Sequence, residues 1–307
     1  MTRTSSSDQR PPDHGPFDHR MAVFAADDAF LAAALPFLAE GLAAPGEPPP
    51  VAVAGPERLD LLRDALGGDA RHVRLVPHAD WYTGSAANAV AQLASHLDSR
   101  AAPEGHCRLL MEPDWGGRAG RSTRETAEWI RYEALANLLF APTAATVLCA
   151  YDTRTAGAAI VGAARRAHPD TGVYADPVVL AAELDAVAQG PPTACAALLP
   201  RPHPAAVRTR AAALGLAPAD AELFAEAVAA ALASLGPVTG ALLWGRAPAV
   251  VCELRAERRV EDPLAGFVPP PGGELDPGQG LWFTRQVCAY VDVRDDSKGA
   301  TVRLQYG

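Results

Sequence analysis

Short apolar runs alternate with longer amphipathic stretches through the first half of the chain. Residues 21–25 are apolar, Asp27 and Asp28 follow, and 29–42 are apolar nearly all round. That order predicts a strand, a turn and a helix with an Asp as N-cap, since a carboxylate there accepts an orphan backbone N–H. The pattern recurs as a strand at 51–54, a helix at 57–66, a strand at 73–76, a helix at 86–97 and a strand at 108–111. Ser122 and Glu125 have capping-box spacing and open a helix reaching about Phe140. A β-branched strand over 146–150 ends at Tyr151 and Asp152, and a helix over 157–167 stops at His168-Pro169. Alternating strands and helices predict an α/β domain, a parallel sheet with helices on both faces.

The rhythm changes after residue 170. Residues 170–203 read as irregular, with Pro191-Pro192 and the prolines between 200 and 204 as punctuation. The expected division is a disordered tail at 1–16, a first domain at 17–195, a linker at 196–203 and a second domain at 204–307. In the second, helices are predicted at 205–214 and 220–235, strands at 238–244 and 250–255, and a Pro/Gly-rich loop at 263–278. A helix at 281–290, a strand at 291–294, a turn at Ser297-Lys298-Gly299 and a strand at 301–305 complete it. Helices segregated from an antiparallel sheet make an α+β sandwich. Residues 227–244 carry no charge, but Gly236-Pro237 interrupts them, which reads as helix, turn and strand rather than a membrane span.

Composition narrows the function classes. A length of 307 residues allows about two domains. A net charge of −9 disfavours direct nucleic-acid binding, which needs Lys and Arg to displace counterions from phosphates, and suits basic protein partners. The five cysteines, Cys107, Cys149, Cys195, Cys252 and Cys288, show no CxxC spacing and read as reduced buried thiols, so no metal is expected. Residues 1–16 are polar and lack the apolar core of a signal peptide, so the chain is expected to stay in the cytoplasm.

In the second half, five runs stand in order: Glu226-Ala227-Val228, Cys252-Glu253-Leu254-Arg255, Asp262-Pro263-Leu264-Ala265-Gly266-Phe267, Gly278-Gln279-Gly280-Leu281-Trp282 and Arg285-Gln286-Val287-Cys288. Together they resemble the GHKL ATPase family, whose fold is the Bergerat sandwich, and within it the small serine kinases of the RsbW type that act as anti-sigma factors. The resemblance implies a Glu and, four residues on, a Mg²⁺-binding Asn; here Glu226 is followed by Ala230, and a methyl group cannot ligate a hard cation. It also implies an Asp-x-Gly that binds adenine; here Ala256 and Arg258 stand there, a loss of about 1.5–3 kcal/mol in one charged hydrogen bond. Gly278, Gly280 and Leu281 remain as a vestigial nucleotide loop at a helix start, where exposed N–H groups favour anions, although a tight turn that only glycine can make is the favoured reading of Gly278-Gln279-Gly280 given the other losses. The implied protein is a pseudokinase with Glu226 as a vestigial base, no required cofactor, at most weak ATP·Mg²⁺ binding, and homodimerisation as the family's habit. An active serine kinase using a rearranged site is the alternative.

In the first half, Phe17-Asp18-His19-Arg20, the run 36–42, Met111-Glu112-Pro113-Asp114-Trp115, the run 132–137, the run 148–152 and His168-Pro169 resemble the MEDS sensory domain. The resemblance implies a RecA/KaiC-like fold that senses small ligands such as hydrocarbon derivatives. Followed by a GHKL domain, it is the layout of RsbA-type anti-sigma regulators, with a sigma factor or an anti-sigma antagonist as partner, no direct nucleic acid and no membrane. The loop 25–30 has neither Gly nor Lys, and its Asp27 and Asp28 would repel phosphate. Ligand candidates gather after the strands: Glu112, Asp114 and Trp115, then Tyr151 and Asp152, with His19 ahead of the first strand. Trp129, Glu133 and Asn137 form a stripe at four-residue spacing, readable as a pocket wall or as a structural hydrogen-bond network. Cys149 reads as core and His168 as a helix terminus. An acid/base role for Glu112, Asp114 and Asp152 ranks behind, since no nucleophile–base pair has recognisable spacing.

Overall fold

The computed structural model describes residues 16–100, 105–117, 119–187, 196–200, 202–268, 270 and 275–307. Five strands, β1 (Phe17–Phe24), β2 (Val51–Ala54), β3 (Arg74–Pro77), β4 (Cys107–Met111) and β5 (Ala145–Asp152), form a sheet in the order β1-β5-β4-β2-β3. Every pairing in it is parallel. Such a sheet needs cover on both faces, and side chains alternate between them. Helices α1 (Asp27–Ala43) and α2 (Pro56–Leu66) cover one face, packing Phe30, Leu38 and Leu62 on Ala52, Leu148 and Ala150. On the other, α4 (Ala86–Arg100), α5 (Thr123–Leu139) and α6 (Thr153–Arg165) bury Leu97, Ile130 and Val161 with Leu109, Val147 and Tyr151. A single turn, α3 (His78–Trp81), joins β3 to the loop before α4.

The second sheet is antiparallel throughout, in the order β6-β7-β8-β10-β9. Its strands are β6 (Ala197–Leu199), β7 (Val238–Arg246), β8 (Ala249–Ala256), β9 (Tyr290–Asp296) and β10 (Gly299–Tyr306). Helices α8 (Pro204–Ala213), α9 (Pro218–Leu235) and α10 (Leu281–Val287) pack Val207, Phe224, Val228 and Phe283 with Leu243, Leu254, Val302 and Leu304. No described helix is long and apolar enough to cross a membrane.

Several elements differ from the sequence reading. Residues 170–203 are not irregular throughout: α7 (Pro177–Val187) packs on α5, and β6 lies in the expected linker but pairs with β7, so those residues belong to the second sheet. Ala26, not an Asp, is the N-cap of α1; Asp27 and Asp28 lie in its first turn, where carboxylates favour the helix dipole. The Ser122 cap is present, its side chain accepting from Glu125 N, but the Glu125 carboxylate turns away to Trp129 and Tyr290. α10 ends at Val287, three residues short, because Tyr290 has joined β9. The expected tail, apart from Pro16, and Cys195 lie outside the described residues.

The two sheets are joined through buried charge. Arg131 on α5 is 5% exposed and donates to Glu128 at 2.6 Å, Asp185 of α7 at 2.8 Å and the Val291 carbonyl of β9 at 3.2 Å. Asp292 of β9 lies 3.9 Å from Arg131 and pairs with Arg124 at 2.8 Å. Arg124 also sits over the Tyr290 ring, 4.1 Å from its centroid, while the Tyr290 hydroxyl donates to Glu125. From the other side, Arg285 of α10 donates to the Ala265 and Val291 carbonyls and stacks on Phe267, which meets Tyr132 edge-on at 4.9 Å. Asn88 of α4 donates to Gln286 Oε1 at 2.8 Å. Nothing in the sequence pattern places the two domains against each other.

Arg131→Leu strips Glu128 and Asp185 of the cation they bond and is expected to cost about 3–5 kcal/mol, read as a lower urea midpoint for the whole chain. Asp185 gives a pH test. Burial lifts its carboxyl to about 7, Arg131 opposes, and Asp292 adds to the rise. Arg294 of β9 donates to the Asp185 carbonyl, and Glu128, raised by its own burial, is the remaining carboxyl nearby. A carboxyl raised above its unfolded value of about 3.9 contributes its full stability only below that value and loses it as pH rises through the folded pKa. The stability difference between the wild type and Asp185→Asn should therefore shrink as pH rises from 4 to about 7. Denaturant titrations at successive pH values read that slope.

Candidate ligand site

β5 is buried at every position, so its odd-numbered residues face α4 and α5 and its even ones face α1. His19 of β1 pairs in register with Val147 and faces the same side as Cys149, 4% exposed. Its ring is held by Asn137 of α5. The Asn137 Nδ2 donates to the carbonyls of Ala167 at 2.8 Å and Ala134 at 3.1 Å, so its Oδ1 must be the acceptor. His19 Nδ1 therefore carries the proton and donates to Asn137 Oδ1 at 3.1 Å, leaving Nε2 bare, 3.3 Å from Cys149 Sγ.

His168 completes the group. Its ring centroid lies 4.2 Å from that of His19. Its Nδ1 donates to the Ala164 carbonyl at 2.8 Å, and its Nε2 is buried with no hydrogen-bond partner. Beside them, the Tyr151 hydroxyl donates to Glu133 Oε2, while Glu133 Oε1 is buried and unpartnered. Tyr151 stacks on Trp115 at 5.5 Å and meets His168 edge-on at 5.8 Å. Burial, with His168 adding, holds His19 well below its usual pKa, so the imidazole is neutral at pH 7. Burial raises Glu133, and burial and the Glu133 carboxyl push the Cys149 thiol well up.

A cavity of about 70 Å³ opens against this cluster. Ala86, Ala89, Val90 and Leu93 of α4 and Trp129, Tyr132 and Ala136 of α5 make its apolar wall, with Met111 and Val147 below. His19, Glu133 and Cys149 are its polar end. It can take a small molecule that is mostly apolar and carries one polar atom.

The remaining candidates lie elsewhere. At the strand ends, Arg58 pairs with Asp27 and Asp152, each at 2.5 Å, and lies 3.7 Å from Glu112. Arg154 pairs with Asp27 at 2.8 Å and Asp152 at 2.7 Å. Glu112 accepts from Gly55 N, and Asp114 from Gly117 N. Hydrogen bonds from Arg154 hold Asp152 below the usual carboxylate range, and those from Arg58 do so for Asp27. Asp27 and Asp152 are thus ion-paired, and Asp114 ties its own loop, while burial raises the Glu112 carboxyl against the opposing Gly55 N–H and Arg58. The structure thus brings His19, Glu133, Asn137 and Tyr151 together, puts Trp115 and Trp129 beside them, and leaves Glu112, Asp114 and Asp152 in a separate ionic cleft. Cys149 and His168, set aside in the sequence as core and helix end, are the residues it missed. A signal existed in the period-two pattern that puts Phe17 and His19 on one face of β1, but strand pairing is needed to bring Cys149 opposite.

In the second domain Glu226 is exposed on α9, while Ala230 and Ala256 are buried in the core. Gly278 N donates to Asp276 Oδ1 at 2.6 Å, Gln279 N to the Asp276 carbonyl and Gly280 N to the Pro277 carbonyl. The three amides of the glycine loop are therefore already spent within the turn. Gly280 has φ of +62°, and a Cβ there would stand 2.1 Å from Ser234 Oγ, so close packing on α9 demands glycine at this point. Leu281 is buried behind it.

Residues 18–169 match the MEDS family, the MEthanogen/methylotroph, DcmR Sensory domain. The parallel sheet with its helices up to His168 is therefore a MEDS domain, a type with sensory and signal-transduction roles. No curated protein and no solved structure matches the chain. Tyr151→Phe, which strips Glu133 Oε2 of its donor, is expected to cost about 1–3 kcal/mol in urea unfolding; a neutral outcome would show that the Tyr151–Glu133 bond does not organise the site.

Proposed function

We propose that the chain is a signal-transduction regulator of the anti-sigma type. In this reading the MEDS domain takes a small organic molecule, and the second domain is a protein-binding scaffold of Bergerat type without kinase chemistry. The observation that carries it is the double duty of α5. Trp129, Tyr132, Glu133 and Ala136 line the cavity, while Glu125, Arg124 and Arg131 of the same helix reach Tyr290, Asp292 and Val291 of the second sheet. α4 does the same, with Ala89 on the cavity and Asn88 on Gln286. A ligand that moves either helix must be felt across the interface, because packed elements shift between discrete arrangements rather than deform smoothly.

The cavity is about half the size of the 150 Å³ cavity that holds benzene, so the ligand has about three or four heavy atoms, in keeping with a simple hydrocarbon derivative. The glycine loop, its amides engaged by Asp276 and Pro277, and the buried methyl at Ala230 support a scaffold role over phosphoryl transfer. The partner is then a sigma factor or its antagonist, met as monomer or homodimer. A RecA/KaiC-type ancestry for the first domain is part of the same proposal.

The test is a thermal-shift screen of small alcohols, amines, thiols and halogenated alkanes. At least one should raise the melting temperature of the wild type and not of Ala89→Leu, which fills the cavity. Pull-downs with sigma factors and antagonist proteins should capture one class, with affinity altered by the hit compound. Binding unaffected by Ala89→Leu removes the sensing half of the proposal, and failure to capture either class removes the anti-sigma half.

A further inference from the structure

We propose that His19, Cys149 and His168 form a binding site for a single zinc-class transition-metal ion at the polar end of the cavity. The three side chains, from β1, β5 and the turn after α6, are 4%, 4% and 0% exposed. One ligand atom from each lies within 4.8 Å of the others, and no other such group of His, Cys, Asp and Glu occurs among the described residues. Bond lengths of about 2.0–2.1 Å to nitrogen and 2.3 Å to sulfur give a tetrahedral N···S edge of about 3.5 Å, and His19 Nε2 already stands 3.3 Å from Cys149 Sγ.

The second observation lies in the outer hydrogen bonds. A metal-bound histidine nearly always donates its other ring N–H to a carbonyl or carboxylate, which fixes the tautomer and aims the lone pair. Both histidines are held in that way. His19 Nδ1 donates to the side-chain carbonyl of Asn137, itself locked by donating to Ala134 and Ala167, and His168 Nδ1 donates to the Ala164 carbonyl. Both Nε2 lone pairs are left for the centre, and that of His168 is buried with no partner. A buried acceptor without a donor is costly and is retained where something fills the need.

Two imidazoles and a thiolate are a borderline-soft set that suits zinc over magnesium or calcium. On binding, the Cys149 S–H proton passes to solvent as the sulfur–metal bond forms, with no change of oxidation state. Three protein ligands leave a fourth position, as in zinc sites that take a small molecule. His19, Cys149 and Glu133 all line the cavity, so that is the side from which such a molecule would reach the ion. The site stands whether or not the cavity takes the proposed organic ligand; where both hold, the ion is the polar anchor for that ligand's single donor atom.

The full chain, stripped with chelator, is titrated with Co²⁺ and with Zn²⁺. The wild type should take up one equivalent, and the cobalt form should show a thiolate-to-metal charge-transfer band with the strong visible bands of a tetrahedral site. Cys149→Ser and His168→Gln should lose the charge-transfer band, and Cys252→Ser, buried in the other core, should keep it. Asn137→Ala should keep the band but bind about 10–100-fold more weakly, since it only aims His19. Circular dichroism identifies any variant that has unfolded, and the other then decides. No uptake by the wild type, or an unchanged band in a folded Cys149→Ser or His168→Gln, overturns the proposal; neither outcome depends on finding an organic ligand.

Discussion

The guanidinium of Arg131 is the constraint on which this architecture rests. A cation this deeply buried survives only where carboxylates and carbonyls surround it. Glu128 on its own helix, Asp185 on α7 and the Val291 carbonyl on β9 meet that need from three elements at once. Removing the second sheet would leave Arg131 short of a carbonyl and Arg124 without Asp292. The two sheets therefore behave as one unit although each has its own core. Such a joint contributes less by its net energy than by its geometry, since charged groups tolerate few arrangements in a low dielectric.

That constraint organises the sensory side. α5 is fixed on one face by the ion network and on the other by the MEDS cavity, so the state of the cavity and the pose of β9 and α10 are read by the same seventeen residues. The polar end of the cavity shares this logic. Asn137, one turn beyond Glu133 on α5, ties His19 to the helix, and Glu133 ties Tyr151. The buried His19 is thus tied by a hydrogen bond to the same helix that carries Arg131.

Much of the fold was legible in the chain. The parallel sheet follows from apolar runs spaced by helical stretches, and most strands fall within one or two residues of their expected places. Ser122 marks its helix correctly because its oxygen meets a local donor. The errors came where tertiary contacts overrode local signals. Pro191-Pro192 suggested a structureless linker, yet Asp185 is drawn into α7 by Arg131, and Leu198 and Leu199 by pairing with β7. Asp27 looked like a cap and instead answers Arg58 and Arg154 from elsewhere in the chain. The site was half legible. His19, Glu133, Asn137 and Tyr151 stood out as polar residues in apolar settings. Cys149 and His168 did not, because a thiol in an apolar run and a His before Pro look ordinary until β1 and β5 are paired.

The central claim is that the cavity and the second domain are coupled through α5. Hydrogen–deuterium exchange on the full chain, with and without a cavity-filling compound identified by thermal shift, tests it most directly. Altered protection is expected in α5 and also across α10 and β9, residues 281–296, beyond the reach of the compound itself. Protection changes confined to α4, α5 and the first sheet, with 281–296 unaltered, would contradict it.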